Sequence, residues 1–217
     1  IVELEAPTSP RFLFNGVSKE DLLGIDWLAP HFVTADGYMV LSIHALLVES
    51  QGKKILVDTC IGNDKVRHVD GWGGRNGPFL ADLAAAGARR ESVDTVLCTH
   101  LHVDHVGWNT MLVDGQWVPT FPQAEYLFAR EEWEHWQVTD QDFFGPVLED
   151  SVGPIIEAGL AQLVETDHRV TDEVWLEPTP GHTPGHVSVR IHSLGEDAVI
   201  TGDMTHHPCQ FAHPEWA

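Results

Sequence analysis

The chain has few basic residues. It contains 12 Lys and Arg against 33 Asp and Glu in 217 residues, which gives a formal net charge of −21. Proteins that bind nucleic acids usually present a basic surface, so this deficit argues against a nucleic-acid partner. Hydrophobic residues make up 43% of the chain, enough for a packed core. The length and composition predict one domain over residues 1–217.

Cysteine and long apolar runs are also scarce. The three cysteines, Cys60, Cys98 and Cys209, form no C-x-x-C motif, so no disulfide framework is predicted. No apolar run approaches the roughly 18 residues of a membrane span. The first residues show no basic region followed by an apolar stretch, so no signal peptide is visible. These absences predict a cytoplasmic protein without a membrane partner, unless residues that precede Ile1 carry a signal.

Histidine, by contrast, is abundant, and four potential metal ligands lie within six residues. They are His100, His102, Asp104 and His105, and the apolar run 93–98 before them predicts a buried strand. Open α/β sheets bind ligands beyond the carboxyl ends of their strands. Four ligands would crowd one ion, so the spacing predicts two ions. A serine nucleophile is not indicated, because the chain has no G-x-S-x-G motif.

Two later segments strengthen the metal interpretation. The segment 181–186 reads Gly-His-Thr-Pro-Gly-His, in which Pro184 fixes the backbone and the glycines permit close approach to an ion. Gly202 and Asp203 follow the predicted strand 198–201. A lone His is more often a surface or core residue than a ligand, and H-x-H alone would be weak evidence. The three segments together favour a metal site.

These segments resemble the metallo-β-lactamase superfamily of hydrolases. The matching residues run in the family's order, from Asp58 after an apolar strand, through the 100–105 cluster and the 181–186 loop, to Asp203. The resemblance implies an α/β fold, the αββα metallo-β-lactamase sandwich, with the site at one edge of two packed sheets. It also implies the metal ligands. His100, His102 and His182 would hold a first ion, Asp104 and His105 a second, and Asp203 would bridge both.

The coarse layout agrees with two sheets covered by helices. Strands are predicted at 39–49, 53–58, 93–99, 125–129, 174–177, 187–192 and 198–201. Helices are predicted at 77–87, 130–137 and 144–158, the last interrupted at Gly153-Pro154. On this helix-rich stretch, Trp133, His135 and Trp136 are interpreted as structural residues.

One ligand of the family pattern is absent. The pattern ends with a His several tens of residues after the bridging Asp, and only 14 residues follow Asp203 (217 minus 203). His206, His207 and His213 are suitable by type but lie too close to match that spacing. We therefore expect that the natural protein continues, and that the C-terminal part of the domain and the seventh ligand lie beyond residue 217.

The ligand set is typical of Zn²⁺, and two Zn²⁺ ions are the predicted cofactors, although Mn²⁺, Fe²⁺ or Co²⁺ could bind the same groups. Two such ions lower the pKa of a shared water toward about 7, and the resulting bridging hydroxide is the predicted nucleophile. Asp104 could take up and return a proton. Asp58 is predicted to accept hydrogen bonds from loop N–H groups or a ligand His, and His186 to support the site from behind.

The sequence says less about which residues contact the substrate. Four aromatic residues could line a pocket, with core packing as the alternative for each: Trp72, Trp108, Phe143 and Phe144. His206 lies three residues after Asp203, where lactonases that open acyl-homoserine lactones usually carry a Tyr. We predict that His206 donates a hydrogen bond to the substrate, and the alternative is a solvated loop residue.

Branches of the family differ in these positions. Asp203 argues against β-lactamases, and His102 argues against the oxygen reductases that carry Glu there. His206 resembles the methyl parathion hydrolase branch. The sequence therefore predicts a dinuclear zinc hydrolase of esters, lactones or phosphotriesters, that is, a lactonase or organophosphate hydrolase with a small-molecule substrate. A homodimer is compatible with the sequence. A glyoxalase II-like thioesterase and a non-catalytic metal-binding scaffold are the alternatives.

Overall fold

The computed structural model describes residues 1–139 and 143–216. Their contacts divide into two compact units, one of Ile1 with His44–Met204 and the other of Val2–Ile43 with Thr205–Ala217. The single domain over residues 1–217 stays a prediction. In the described part of the chain, no helix is long and apolar enough to cross a membrane.

Within the described residues there are twelve strands and five α-helices. The strands β1 to β12 are, in chain order, Val2–Thr8, Met39–His44, Leu46–Ser50, Lys53–Val57, Thr95–Leu97, Thr110–Val113, Gln116–Pro119, Glu125–Ala129, Ala161–Val164, Val174–Pro178, Val187–Ser193 and Glu196–Ile200. The helices α1 to α5 are Lys19–Leu23, Phe79–Ala85, Arg130–Trp136, Gly153–Glu157 and Cys209–Ala212. The mixed α/β fold that the sequence predicts is confirmed.

The larger unit is built on two main sheets. The five-stranded sheet has the order β3-β4-β5-β8-β9, and the three-stranded sheet has the order β10-β11-β12. Strands β4, β5, β8 and β9 run parallel, whereas β3 pairs antiparallel with β4. A small antiparallel hairpin of β6 and β7 lies outside both sheets.

The two main sheets share one hydrophobic core. Alternate residues of each strand point into it, among them Ile55 and Val57 of β4, Leu97 of β5, and Val187 and Val189 of β11. The intervening residues Leu56, Val96, Tyr126 and Phe128 are also buried, so the central strands are covered on both faces. Each fully buried side chain of this size contributes about 1.5–3 kcal/mol to the free energy of unfolding. The core therefore makes the edge of the sheet a rigid support for the loops that leave it.

Those loops leave the five-stranded sheet at one edge. Asp58 follows β4, residues 98–107 follow β5, and α3 follows β8. Because the three strands are parallel and adjacent, their carboxyl ends meet at this edge, where ligands bind in open α/β sheets.

The structure corrects several predicted boundaries. The single strand predicted at 39–49 is broken at Ala45, and its halves belong to different sheets. The segment 144–158 contains a π-helical turn, Leu148–Val152, followed directly by α4, so the helical geometry changes at Gly153-Pro154, where the sequence predicts an interruption. Pro154 lies at the second position of α4 and has no N–H group to continue the hydrogen bonds of the π-helical turn. Strands β1, β6, β7 and β9 and helices α1 and α5 were not predicted.

The smaller unit has its own core. Buried side chains include Phe14, Leu22, Leu28, Val33 and Met39, with Cys209 of α5 among them. His207 is also buried and its Nε2 lies 2.9 Å from the carbonyl oxygen of Phe32. Burial lowers the pKa of His207, consistent with a structural imidazole in this unit.

A buried ion pair fastens the loop after Asp58 to the π-helical turn. The Arg67 guanidinium donates to both carboxylate oxygens of Asp150, at 2.7 and 2.8 Å. Lys65 Nζ lies 3.6 Å from the same carboxylate, and all three side chains are almost fully buried. Burial lowers the pKa of Lys65 to about 7, against the attraction of Asp150.

Arg67→Met is expected to lower the free energy of unfolding by about 3 kcal/mol, because removing one partner of a buried ion pair leaves the other charge buried without its partner. The value lies at the low end of the usual range because Lys65 stays near Asp150. Urea unfolding measures it. The control is Arg190→Met, whose ion pair with Glu177 is about half exposed, and which should cost less than about 1 kcal/mol. An equal loss of the free energy of unfolding in the two variants would contradict the prediction.

Candidate metal centre

Three imidazoles converge at the carboxyl edge of the five-stranded sheet. His100 Nε2 lies 3.1 Å from His102 Nδ1, which in turn lies 2.8 Å from His182 Nε2. His100 and His102 come from the loop after β5, and His182 comes from the loop between β10 and β11. The structure thus brings together the three residues predicted for the first ion.

Asp203 lies between this group and His105. Its Oδ2 is 3.9 Å from His100 Nε2, 3.5 Å from His182 Nε2 and 3.4 Å from His105 Nε2. Asp104 Oδ1 lies 3.9 Å from His105 Nε2. All six residues that the sequence predicts as ligands therefore lie in one cluster, although Asp104 is at its margin.

The donor set suits a divalent metal. The ligand atoms of His100, His102 and His182, and likewise those of His100, His105 and Asp203, lie within 4.8 Å of one another. A tetrahedral zinc with Zn–N distances of about 2.0–2.1 Å places its nitrogens roughly 3.4 Å apart, close to the separations seen here. Three converging imidazoles with a carboxylate beside them are the ligand type that Zn²⁺ prefers.

Burial and charge set the protonation of these groups. Burial lowers the pKa of His100, which favours the neutral imidazole that metals bind. Burial raises the pKa of Asp104, and the neighbouring Asp203 carboxylate raises it further. For His105 burial acts to lower the pKa, but the carboxylates of Asp203, Asp58 and Asp104 outweigh it and raise the pKa. The cluster therefore concentrates negative charge around His105, as a cation site would.

Asp58 contacts the ring nitrogen of His105 that faces away from the cluster. Its Oδ2 lies 2.9 Å from His105 Nδ1, and its carboxylate also accepts hydrogen bonds from the backbone N–H and hydroxyl of Thr99. These are the hydrogen bonds that the sequence predicts for Asp58. They leave His105 Nε2 directed at Asp203.

His186 supports Asp203 from behind the cluster, as Asp58 supports His105. The backbone N–H of Asp203 donates to His186 Nε2 at 2.9 Å, and the opposite nitrogen, Nδ1, lies 3.1 Å from the carbonyl of Thr179. His186 is fully buried, and burial lowers its pKa. A neutral ring that accepts at Nε2 and donates at Nδ1 satisfies both contacts, so His186 is placed to orient Asp203 rather than to bind an ion.

The predicted substrate contacts fall in different places. Phe144 lies beside the cluster, its ring centroid 6.2 Å from that of His102, and Phe143 is exposed and packs on Phe144. Trp72 is partly exposed in a turn. Trp108 is only 5% exposed and stacks on Phe79 at 5.1 Å, which favours the core-packing alternative for this residue.

His206 belongs to the smaller unit. It is partly buried, and its backbone N–H donates to Gln210 Oε1 at 2.8 Å. Its role as a hydrogen-bond donor to the substrate stays a prediction.

Sequence reasoning missed one acidic residue behind the cluster. Glu132 of α3 is 1% exposed, and its carboxylate accepts hydrogen bonds from the backbone of both ligand-bearing loops. Trp136, interpreted above as structural, donates to the same carboxylate and lies against His102. The signal in the sequence was the spacing of Glu132 and Trp136, four residues apart on one helical face.

The comparison with protein families decides the assignment. The sequence model of the metallo-beta-lactamase superfamily matches residues 38–215. The chain belongs to the metallo-beta-lactamase superfamily. The matched range includes all six clustered residues.

Relatives within this superfamily include lactonases. An N-acyl homoserine lactonase from Bacillus sp. is 28% identical over 176 residues, which cover 74% of this chain and 62% of that protein. Another from Bacillus cereus is 25% identical over 180 residues, 77% of this chain and 65% of that protein. The chain thus spans less than two thirds of the length of these relatives.

Solved structures also share the fold of this chain. The hydrolase AbOPH is 27% identical, with a TM-score of 0.76 over all of this chain and 74% of that one. AidC, a dizinc quorum-quenching lactonase solved with a product, is 23% identical and has a TM-score of 0.75 over the same shares of the two chains. The second likeness shows the fold alone.

Proposed function

We propose that this protein is a hydrolase that depends on divalent metal ions and cleaves lactones, carboxylic esters or phosphotriesters. The observation that carries the proposal is the placement of Asp203. Its Oδ2 lies within 3.9 Å of imidazole nitrogens from His100, His182 and His105, so one carboxylate oxygen adjoins both groups of potential ligands.

In this proposal His100, His102 and His182 would hold one ion, Asp104 and His105 would hold a second, and Asp203 would lie between them as a shared ligand. Divalent ions bound by these residues would supply a water of lowered pKa, toward about 7, and would polarise a carbonyl or phosphoryl oxygen. Zinc is the proposed metal because imidazole and carboxylate ligands suit it.

The chain's own residues prepare the site for this chemistry. Asp58 holds the Nδ1 side of His105, so its Nε2 stays directed into the cluster. Asp104, whose carboxylate lies 3.9 Å from His105 Nε2, would take up a proton from the attacking water and return it to the leaving group. Phe144 beside His102 offers an apolar wall for the hydrocarbon part of a substrate.

The lactone part of the proposal draws on the two Bacillus relatives, N-acyl homoserine lactonases that match part of this chain. The phosphotriester part draws on His206, which in the sequence resembles the methyl parathion hydrolase branch. The proposed partner is a small molecule. A homodimer and a cytoplasmic location stay predictions.

Removal of metal is expected to abolish hydrolysis, because every proposed step needs the ions. The full-length protein would be dialysed against a chelator and assayed on an acyl-homoserine lactone, a p-nitrophenyl ester, a p-nitrophenyl phosphotriester and a thioester. We expect turnover of at least one of the first three, lost in the metal-free protein and restored by Zn²⁺. Turnover of the thioester alone would favour the glyoxalase II-like alternative, and no turnover with bound metal would favour the scaffold.

A further inference from the structure

Helix α3 carries a buried carboxylate directly behind the metal cluster. Glu132 is 1% exposed and accepts three hydrogen bonds. Its Oε1 accepts from the backbone N–H of Leu101 at 3.1 Å and from Trp136 Nε1 at 2.6 Å. Its Oε2 accepts from the backbone N–H of Gly185 at 3.0 Å. All three partners are N–H donors, the set that an ionised carboxylate, which only accepts, requires.

Two of the three donors belong to the loops that carry the imidazoles. Leu101 lies between His100 and His102 in the loop after β5. Gly185 lies three residues after His182, in the loop between β10 and β11. One side chain therefore ties together two loops that come from different sheets.

The third donor reaches a ligand side chain. The Trp136 indole packs against the His102 ring, with the ring centroids 5.2 Å apart and the planes inclined at 60°. Because its Nε1 is held by Glu132, the indole has a fixed orientation against that imidazole. Glu132 thus constrains His102 through the backbone on one side and through an aromatic wall on the other.

The close approach of the second loop is also built into the sequence. A Cβ at Gly185 would lie 2.3 Å from the backbone nitrogen of Glu132 and 2.7 Å from its Cα. Only glycine lets the loop lie this near α3, within reach of the carboxylate.

We infer that Glu132 is a positioning residue that sets the separation of the His100–His102 loop from the His182 loop, and so tunes the affinity and geometry of the metal site. The inference rests on the proposed function, since it assigns these imidazoles to a metal. It differs from a purely structural role, in which the carboxylate would stabilise the fold without affecting metal binding.

The test compares Glu132→Gln with the parent in the full-length protein. The neutral amide can accept at one end only, and its NH₂ group meets an N–H donor at the other. We expect Zn²⁺ affinity, measured by competition with a chromophoric chelator, to fall by about 10-fold or more, in the range known for residues that support metal ligands from behind. We also expect a changed visible absorption spectrum of the Co²⁺-loaded protein.

The matched control is Glu131→Gln, which removes the same charge from the neighbouring, exposed position of α3. It should leave affinity and spectrum unchanged. Glu132→Asp keeps the charge but is too short to reach both loops, so it should also weaken zinc binding. If Glu132→Gln does not fold, Glu132→Asp and Gly185→Ala serve as the test variants, compared with the parent at a temperature where circular dichroism shows native structure.

The outcomes separate the two proposals. Parental zinc affinity and Co²⁺ spectrum in the folded variants would overturn the positioning role, even if the melting temperature fell. A parent protein that binds no metal would instead contradict the proposed function itself.

Discussion

Asp203→Ala is expected to lower the hydrolysis rate by more than about 100-fold and to reduce the metal content of the protein. The physical reason is that this carboxylate adjoins imidazoles of both ligand groups, so its loss removes a ligand from each. Residues that only support a ligand already cost 10- to 100-fold in affinity or activity, and a shared ligand should exceed that. Steady-state kinetics and elemental analysis of the same sample measure the two effects.

The control for this variant is Asp197→Ala. Asp197 lies on β12, which leads to Asp203, but its carboxylate is exposed and pairs with His192. It should behave as the parent. A parental rate and metal content in Asp203→Ala would rule out the bridging role, and a loss explained by unfolding would appear as an equal loss of circular dichroism.

His206→Ala is expected to lower kcat by roughly 10² to 10³ while leaving the metal content intact, because the loss of one oriented hydrogen-bond donor has about that effect. The motive is position: His206 lies three residues after Asp203, where the sequence resemblance to acyl-homoserine lactonases implies a Tyr donor. His206→Tyr is accordingly expected to keep activity and to shift preference toward lactones. The measurement is kcat on lactone, ester and phosphotriester substrates, beside metal analysis.

His213→Ala is a suitable comparison for His206→Ala, since His213 lies in the same unit and its ring stacks on Trp216. It should leave kcat unchanged. If His206→Ala turns over every substrate at the parental rate, His206 is a bystander in the loop.

The clustering of the candidate site was predictable because it depends on local order in the chain. A buried apolar strand followed by His100, His102 and His105 could only deliver these side chains to the carboxyl edge of a sheet. The parallel pairing of β4, β5 and β8 then brings Asp58 to the same edge. The approach of the 181–186 loop and Asp203 to that cluster followed from the family resemblance, not from spacing.

Other features could not be predicted, because they depend on contacts between distant segments. The break at Ala45 leaves no mark in the run 39–49, which contains no glycine or proline. The N–H of Ala45 donates to the carbonyl of Ile1, 44 residues away. Trp108 follows the cluster by three residues, so the sequence allows a position in the pocket. In the structure its ring stacks on Phe79 of α2 instead. Glu132 shares a helical face with Trp136, but its contacts with the two loops involve residues 31 and 53 positions away and leave no mark in the sequence.

The central claim is that six residues form a two-metal site with Asp203 between the ions. The most direct test is anomalous diffraction at the zinc edge from crystals of the metal-loaded, full-length protein. The account predicts two peaks about 3.5–4 Å apart, the spacing of two-metal sites. One should be bound by His100, His102 and His182, the other by Asp104 and His105, with the Asp203 carboxylate bridging them. A single peak, or two peaks with Asp203 turned away from both, would contradict it.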